Sequence, residues 1–272
     1  MAFRIPCLLL TGAAGNLGRE LRPRLAKYCE RLRVSDREDL GPAAPHEETV
    51  RAALEDRAAV DRLLENVDAV VHLGGISTEQ RWEAIRAANI DGMVNLYEAA
   101  RYQHVRRIVF ASSNHVTGFY RQDEVIRPDA PVRPDGLYGL SKVFGEGLAQ
   151  LYWDRFRIET VSIRIGSSFA EPRDRRMLAT WLSFDDAERL IAAALSSPAV
   201  GHTVIYGVSD NPTRWWDNAA ADRHLGFLPR DSSERFRSAI DARQPAVDAG
   251  DPATIFQGGA FVRTGPFVDR ND

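Results

Sequence analysis

Cysteine is nearly absent from this 272-residue chain: Cys7 and Cys29 are the only two. Two thiols cannot build a disulfide framework. Their places, one in an apolar run and one at the end of a helical pattern, suit packing. Positive charge is not in excess either. Lys and Arg number 35 against 38 Asp and Glu, a net charge of −3, which offers no electrostatic footprint for nucleic acid or an anionic membrane surface. No apolar run approaches the ~20 residues of a membrane-spanning helix. The opening stretch, Met1 to Pro6, leads straight into a strand pattern and leaves no room for a signal peptide. Repeats and low-complexity tracts are missing. The expectation is a globular protein of the cytoplasm, and its 44% apolar content is enough for a sizeable core.

What is present is organised around Cys7 to Gly18 (CLLLTGAAGNLG). An apolar run ends in three glycines at three-residue spacing, Gly12, Gly15 and Gly18. Leu17, Leu21, Leu25 and Tyr28 then recur at helical spacing. The pattern predicts a buried strand, a tight turn and a helix whose free N–H groups face an anion. The G-x-x-G-x-x-G spacing is one residue longer at the front than the dinucleotide fingerprint, and by itself it also describes a plain turn. About twenty residues on, a short strand ends at Asp36, where a carboxylate can accept hydrogen bonds from an adenosine ribose and repel a 2′-phosphate. That favours NAD over NADP, although Arg37 next to it could hold a phosphate.

Further along, a polar loop covers 37–48, a short strand is predicted over 49–54 and a helix over 56–65. Val67 to Leu73 reads as a buried strand ending at Gly74-Gly75. Arg81 to Tyr102 reads as one long helix, and Arg107 to Ala111 as a strand followed by Ser112-Ser113-Asn114-His115. A proline-bearing connection leads to a helix from about Leu137 to Phe156, then a strand over 159–165. The stretch 166–180 reads as a loop, Ser183 to Asp186 as a capping box before a helix over 187–195, Thr203 to Tyr206 as a strand and 217–225 as a short helix. From Arg230 the chain reads as a polar tail with isolated Phe256, Phe261 and Phe267. Alternating strands and helices predict an α/β fold: a doubly wound, Rossmann-type parallel sheet with helices on both faces. Residues 1–165 would hold the dinucleotide-binding core with the Tyr/Lys helix. Residues 166–272 would form a small substrate-binding portion and tail packed on the same domain. The loops 12–18, 74–78 and 112–115 should open on one rim.

Tyr138 and Lys142 lie four apart and share one helix face. A tyrosine with its ordinary pKa near 10 is a poor base at neutral pH, and a nearby ammonium favours the phenolate. A shift of ~3 units corresponds to ~4 kcal/mol, a scale one close ammonium in a partly dry site can supply. A hydroxyl from Ser112 or Ser113 could hold the reacting oxygen. Alone, the pair equally describes two solvated residues at the start of a helix. Trp215-Trp216 suits core packing or a subunit contact.

The order Thr11 to Gly18, Asp36, Asn89, Ser112-Ser113 and Tyr138-x-x-x-Lys142 resembles the extended short-chain dehydrogenase/reductase superfamily. Closer motifs are His72-Leu73-Gly74-Gly75-Ile76-Ser77, Phe110 to His115, Arg133 to Gly139, Arg164 to Ser167, Arg176-Met177-Leu178 and Phe256 to Gly259. Within that superfamily they are similar to the bacterial uronate dehydrogenases. The likeness covers nearly the whole chain and implies an NAD-dependent oxidoreductase that oxidises C1 of D-glucuronate or D-galacturonate in the ring form to the aldarolactone. It implies Tyr138 as base, with Lys142 as its electrostatic partner and Ser113 beside it. Gly12, Gly15, Asn16, Leu17, Gly18, Asp36, Leu54, Leu73, Gly74, Gly75, Ser112 and Ile165, with Tyr138 and Lys142, are the implied cofactor positions. The sugar would meet Ser77, Ser113, Asn114, His115, Tyr138 and Ser167, and its carboxylate would meet Arg176. The likeness also implies a homo-oligomer and no metal, and gives Asn89 the role of bending a helix behind the active site.

A planar guanidinium suits a carboxylate on independent physical grounds, though Arg173 and Arg175 compete with Arg176. His115 could serve as a second base or simply orient a hydroxyl. The sequence departs from the superfamily at Ala53-Leu54, where an aspartate usually precedes the leucine. An adenine contact is lost there, or Glu55 or Asp56 replaces it. Ser168 to Pro172 also differ, which bears on the choice between the two uronates. Two other readings stay open: a nucleotide-sugar epimerase or dehydratase, which would want a longer C-terminal portion, and a non-catalytic NAD sensor, which would not need Tyr138, Lys142 and Ser113.

Overall fold

The computed structural model describes residues 3–244, 248 and 250–265. Its strands are β1 (Ile5–Thr11), β2 (Cys29–Asp36), β3 (Glu47–Arg51), β4 (Ala69–His72), β5 (Arg107–Ser113), β6 (Glu159–Ile165) and β7 (His202–Gly207). All pair in parallel, in the order β3-β2-β1-β4-β5-β6-β7. The helices are α1 (Asn16–Leu25), α2 (Arg57–Leu63), α3 (Trp82–Ile85), α4 (Gly92–Tyr102), α5 (Leu137–Phe156), α6 (Met177–Thr180), α7 (Phe184–Ser196), α8 (Ala219–Leu225), α9 (Arg237–Arg243) and α10 (Pro252–Ile255).

The two-residue period of β1 sorts its apolar side chains into two cores. Leu8 and Leu10 join α1, α7 and α8 through Leu21, Leu25, Leu190, Ile191 and Leu225. Cys7 and Leu9 join α2, α4 and α5 through Val60, Leu63, Leu96, Tyr97 and Tyr152. The sheet is therefore covered on both faces, as the sequence predicts. Strand order reverses between β1 and β4, and such a switch point leaves a crevice at the carboxyl ends of the strands. β7 comes after residue 165 in the chain yet continues the same sheet beside β6. Among the described residues no helix is long and apolar enough to cross a membrane.

Several local expectations need correction. The strand predicted over 49–54 runs instead from Glu47 to Arg51. The long helix is broken by a π-helical turn, Arg86–Asp91. The predicted loop 166–180 ends in α6, started by the Asp174 carboxylate, which accepts from Met177 N at 2.8 Å. Only half of the predicted capping box forms. Ser183 Oγ accepts from Asp186 N at 2.9 Å, but the Asp186 carboxylate accepts from Arg230 N and Asp231 N instead. The tail is not plain coil. It holds α9, α10 and short 3-10 turns, Ser233–Phe236 and Gly259–Arg263. Ser232 caps the Ser233–Phe236 turn, Asp251 caps α10, and Pro252 stands in the first turn of α10. Phe267 lies outside the described residues.

Candidate active site

The glycine turn is wound so tightly that a Cβ on Gly18 would overlap the Gly12 carbonyl oxygen. At Gly15 an added Cβ would meet only that oxygen, at 3.2 Å, so its surroundings are otherwise open. Gly15 caps α1 without a side chain, and the first N–H groups of a helix have no partner within it. Asp36, at the end of β2, is tied to this turn: Oδ2 accepts from Ala14 N at 3.0 Å and Oδ1 from Glu38 N at 3.1 Å. Both sit on a cleft of about 1020 Å³ that runs along the rim to Tyr138 and Arg176. A backbone cradle open to anions, an acceptor-only carboxylate at one end and a long cleft between them fit a dinucleotide. At the Ala53 departure, Leu54 and Glu55 line the cleft. Asp56 does not line it; its carboxylate caps α2 by accepting from Ala59 N at 3.0 Å.

The loop after β4 is clamped from two sides. Thr11 Oγ1 accepts from Gly74 N at 3.2 Å and lies 2.8 Å from His72 Nδ1. Burial pushes His72 down to about 3, so the ring stays neutral. On the other side Asn89, in the π-helical turn, brackets Ile76: Oδ1 accepts from its N–H at 2.8 Å and Nδ2 donates to its carbonyl at 2.9 Å. Nδ2 also donates to Ser141 Oγ on α5 at 2.9 Å. Gly75 has φ +125°, and a Cβ there would come within 2.7 Å of Asn89 Oδ1, so this close approach requires glycine. A π-turn re-aims one side chain out of helical register, and here that side chain joins the loop to α5.

α5 has no cap of its own at Gly136. The buried Glu79 supplies it, accepting from Leu137 N at 2.9 Å and Tyr138 N at 2.8 Å. One turn on, Lys142 Nζ donates to Ala111 O at 2.8 Å. Ser112 gives its hydroxyl to Glu146 Oε1 at 2.6 Å, and Glu146 is held by a buried two-point ion pair with Arg164. That commitment leaves Ser113 as the hydroxyl beside the tyrosine. Burial raises the Tyr138 phenol to about 12 against a lowering hydrogen bond from Ser113, and burial lowers Lys142 to about 8. The expectation that Lys142 holds the phenol below its ordinary pKa is therefore corrected: burial raises it instead. Both groups are desolvated together, and the lysine hydrogen bond goes to a backbone carbonyl.

At the other end of the cleft, Arg176 lines the wall while Arg173 and Arg175 do not. Arg173 lies over the Phe169 ring at 3.8 Å, and Arg175 Nε pairs with Asp241 at 3.0 Å. Arg176 Nε donates to Gln257 O at 2.7 Å and Nη1 to Ser167 Oγ at 3.3 Å. With its amide oriented to suit its neighbours, Asn114 accepts from Arg176 Nη2 at 2.7 Å and donates to Ile165 O at 3.1 Å. Asn114 is the exception among the predicted site residues: it stands behind Arg176 and does not line the cleft, whereas all the others do. His115 lines it as well, its ring stacked on Phe261 at 3.8 Å and edge-on to Tyr138 at 5.7 Å.

The profile of the NAD dependent epimerase/dehydratase family matches residues 8–196. The chain belongs to this family. It is 59% identical to the uronate dehydrogenase of Pseudomonas putida over 96% of this chain and 97% of that one. It is 51% identical to the uronate dehydrogenase of Agrobacterium fabrum over 94% and 96%. A solved structure of Agrobacterium tumefaciens uronate dehydrogenase, a tyrosine-to-alanine variant complexed with NAD, superposes with a TM-score of 0.94 at 49% identity, covering 96% of this chain and 98% of that one. The chain is thus an oxidoreductase of the NAD dependent epimerase/dehydratase family, and its cofactor is NAD.

For a member of this family, sequence reasoning missed Phe261, Phe169 and the buried acids Glu79, Asp135 and Glu146. In the sequence Phe261 is an isolated apolar residue of a polar tail. The signal that could have placed it was the Gln257-Gly258-Gly259 stretch just before it. Gln257 is fully buried and tied to Trp216 Nε1 at 2.8 Å, and Gly258 N bonds to Gly118 O at 2.8 Å.

Proposed function

We propose that the protein oxidises the C1 hydroxyl of D-glucuronate or D-galacturonate, in the pyranose form, to the corresponding aldarolactone. The observation that carries this reading is Arg176. Its guanidinium is partly buried at the cleft, it has no carboxylate partner among the described residues, and its three acceptors are neutral. Burial even lowers its pKa. A desolvated cation of this kind calls for an anion, and guanidinium N–H groups that no acceptor among the described residues takes can bind a carboxylate. A uronate differs from the plain aldose by that group.

Tyr138 takes the C1 hydroxyl proton, Ser113 holds the reacting oxygen, and the Lys142 ammonium favours the phenolate once charge develops. Asp36 and the Gly12–Gly18 turn hold the dinucleotide, with Leu54, Leu73 to Gly75, Ser112 and Ile165 along its course. NAD, when bound, accepts the hydride from C1. Ser77, Ser167 and His115 offer hydroxyl partners to the sugar, and Asn114 aims Arg176. The same reading puts the reaction in the cytoplasm. It also assembles the chain with copies of itself, for which the exposed Leu140, Phe144 and Leu151 along α5 offer an apolar stripe; light scattering at micromolar protein tests that assembly.

The experiment is a substrate screen by NADH absorbance with glucuronate, galacturonate, free aldoses and UDP-sugars. Turnover of either uronate, with far weaker turnover of glucose and galactose, is expected. Turnover of a UDP-sugar alone would replace this reading with the nucleotide-sugar one. NAD binding with no turnover of any of them would leave a sensor.

A further inference from the structure

Asp135 is fully buried, yet among the described residues only one of its carboxylate oxygens has a donor. Oδ2 lies 2.6 Å from His115 Nδ1, and Oδ1 has no hydrogen-bond partner among those residues. Glycine spacing makes room for it: a Cβ on Gly118 or on Gly258 would collide with Oδ2. The chain around it is fixed by Asp135 N to His115 O at 3.3 Å and Arg133 N to Val116 O at 2.9 Å. Burying a carboxylate with half its hydrogen bonds missing is costly, and a longer or bulkier residue would not fit the cage.

We propose that Asp135 is a positioning residue that locks His115 in the Nδ1–H tautomer, so that Nε2 stands in the cleft as a bare acceptor selecting a sugar hydroxyl. A carboxylate has no proton to give, so the hydrogen in the 2.6 Å contact belongs to the imidazole. The ring that is protonated on Nδ1 and neutral must accept at Nε2. His115 is neutral because burial lowers its pKa and Arg176 adds to that. Asp135 and Glu79 act in the opposite direction without overcoming it. Phe261, stacked on the ring at 3.8 Å, and Tyr138, edge-on at 5.7 Å, hold its plane. With Arg176 claiming the carboxylate, an obligate acceptor nearby sorts acidic sugars by whether a hydroxyl is there to donate. A deoxy or O-methyl sugar at that position would leave Nε2 unpaired. The hydroxyl-selecting part rests on the uronate reading above; the tautomer does not.

The test uses the full chain labelled with ¹⁵N in its six histidines. Long-range proton–nitrogen spectra report the tautomer of each ring, and the His115→Asn variant identifies the His115 signals by their loss. A neutral Nδ1–H ring is expected at neutral pH; an Nε2–H or doubly protonated ring in the wild type overturns the proposal, whether or not any variant folds. Asp135→Asn is expected to shift that ring away from pure Nδ1–H and to raise the uronate KM about tenfold, with kcat changed much less and NAD affinity unchanged. An Asp135→Asn protein with the wild-type tautomer and KM overturns it as well. If the wild type turns over no uronate while His115 is Nδ1–H, the substrate reading fails and the tautomer assignment stands.

Discussion

Lys142 Nζ lies 5.7 Å from the centroid of the Tyr138 ring and spends its hydrogen bond on Ala111 O rather than on the phenol. The phenol is accordingly raised to about 12 and the ammonium lowered to about 8, burial being the largest cause for both. A base must be deprotonated to act, so its active fraction grows as pH rises toward the phenol's pKa. In the free enzyme kcat/KM is expected to climb with pH through the neutral range. Tyr138→Phe should lose at least ~100-fold in turnover while binding NAD as before, measured by initial rates and calorimetry. Near-normal rates would remove Tyr138 from the base role.

Arg176→Lys keeps the charge but not the planar fork. The uronate KM is expected to rise by one to two orders of magnitude, corresponding to ~1.5–3 kcal/mol for a charge-assisted hydrogen-bonding pair. Rates on a neutral aldose, however slow, should change far less. Equal losses on both substrates would mean that Arg176 only braces Ser167, Asn114 and Gln257 O.

Much of this site could be read in the chain because its parts are local. The glycine turn, the acid at the end of β2 and the tyrosine four before the lysine each lie within one element, where spacing alone fixes who faces whom. Asn89 was legible only through family resemblance. The π-turn that aims it grips a loop 13 residues earlier, a contact that the spacing of its own segment does not reveal. Asp135, Glu79 and Phe261 were invisible for a related reason: each acts on a residue far away in sequence, Glu79 capping a helix 58 positions later. The Tyr/Lys pair alone predicts a lowered tyrosine pKa; burial raises it instead, and nothing in that spacing reports how dry both groups are.

Asp36 meets the glycine turn through Ala14 N and leaves acceptor capacity at the rim. Asp36→Ala is expected to weaken NAD binding about tenfold, as loss of one or two ribose hydrogen bonds would. It should also narrow the gap between NAD and NADP, since the repelling charge is gone and Arg37 remains. Titration calorimetry with both cofactors reads the two numbers. A variant that keeps full NAD affinity would place the ribose elsewhere.

Two glycines of the same turn should separate folding from binding. Gly18→Ala drives a methyl into the Gly12 carbonyl and should destabilise the fold by ~1–3 kcal/mol. Gly15→Ala meets only one oxygen, at 3.2 Å, and should fold with nearly unchanged stability. It should nevertheless lose NAD affinity, because its methyl stands where a pyrophosphate would approach the backbone. Thermal unfolding and NAD titration of both variants check the contrast; a Gly15→Ala protein that binds NAD normally would move the phosphates off this turn.

His72 links the cleft to acid stability. Its ring is neutral when folded, with a pKa near 3, against an ordinary value near 6.5 once unfolded. Between those values the unfolded chain binds the proton and the folded one does not, so stability is present at neutral pH and is lost as pH falls from about 6.5 toward 3. The full shift corresponds to ~4–5 kcal/mol, an upper bound for one residue. His72→Asn can keep an acceptor near Thr11 Oγ1 and cannot take up the proton. It should cost ~1–3 kcal/mol at pH 7 through poorer packing and hydrogen bonding, yet lose less on going to pH 5 than the wild type does. Urea unfolding at the two pH values measures both slopes. If the two proteins lose stability in parallel, the acid sensitivity lies with the carboxylates and not with this ring.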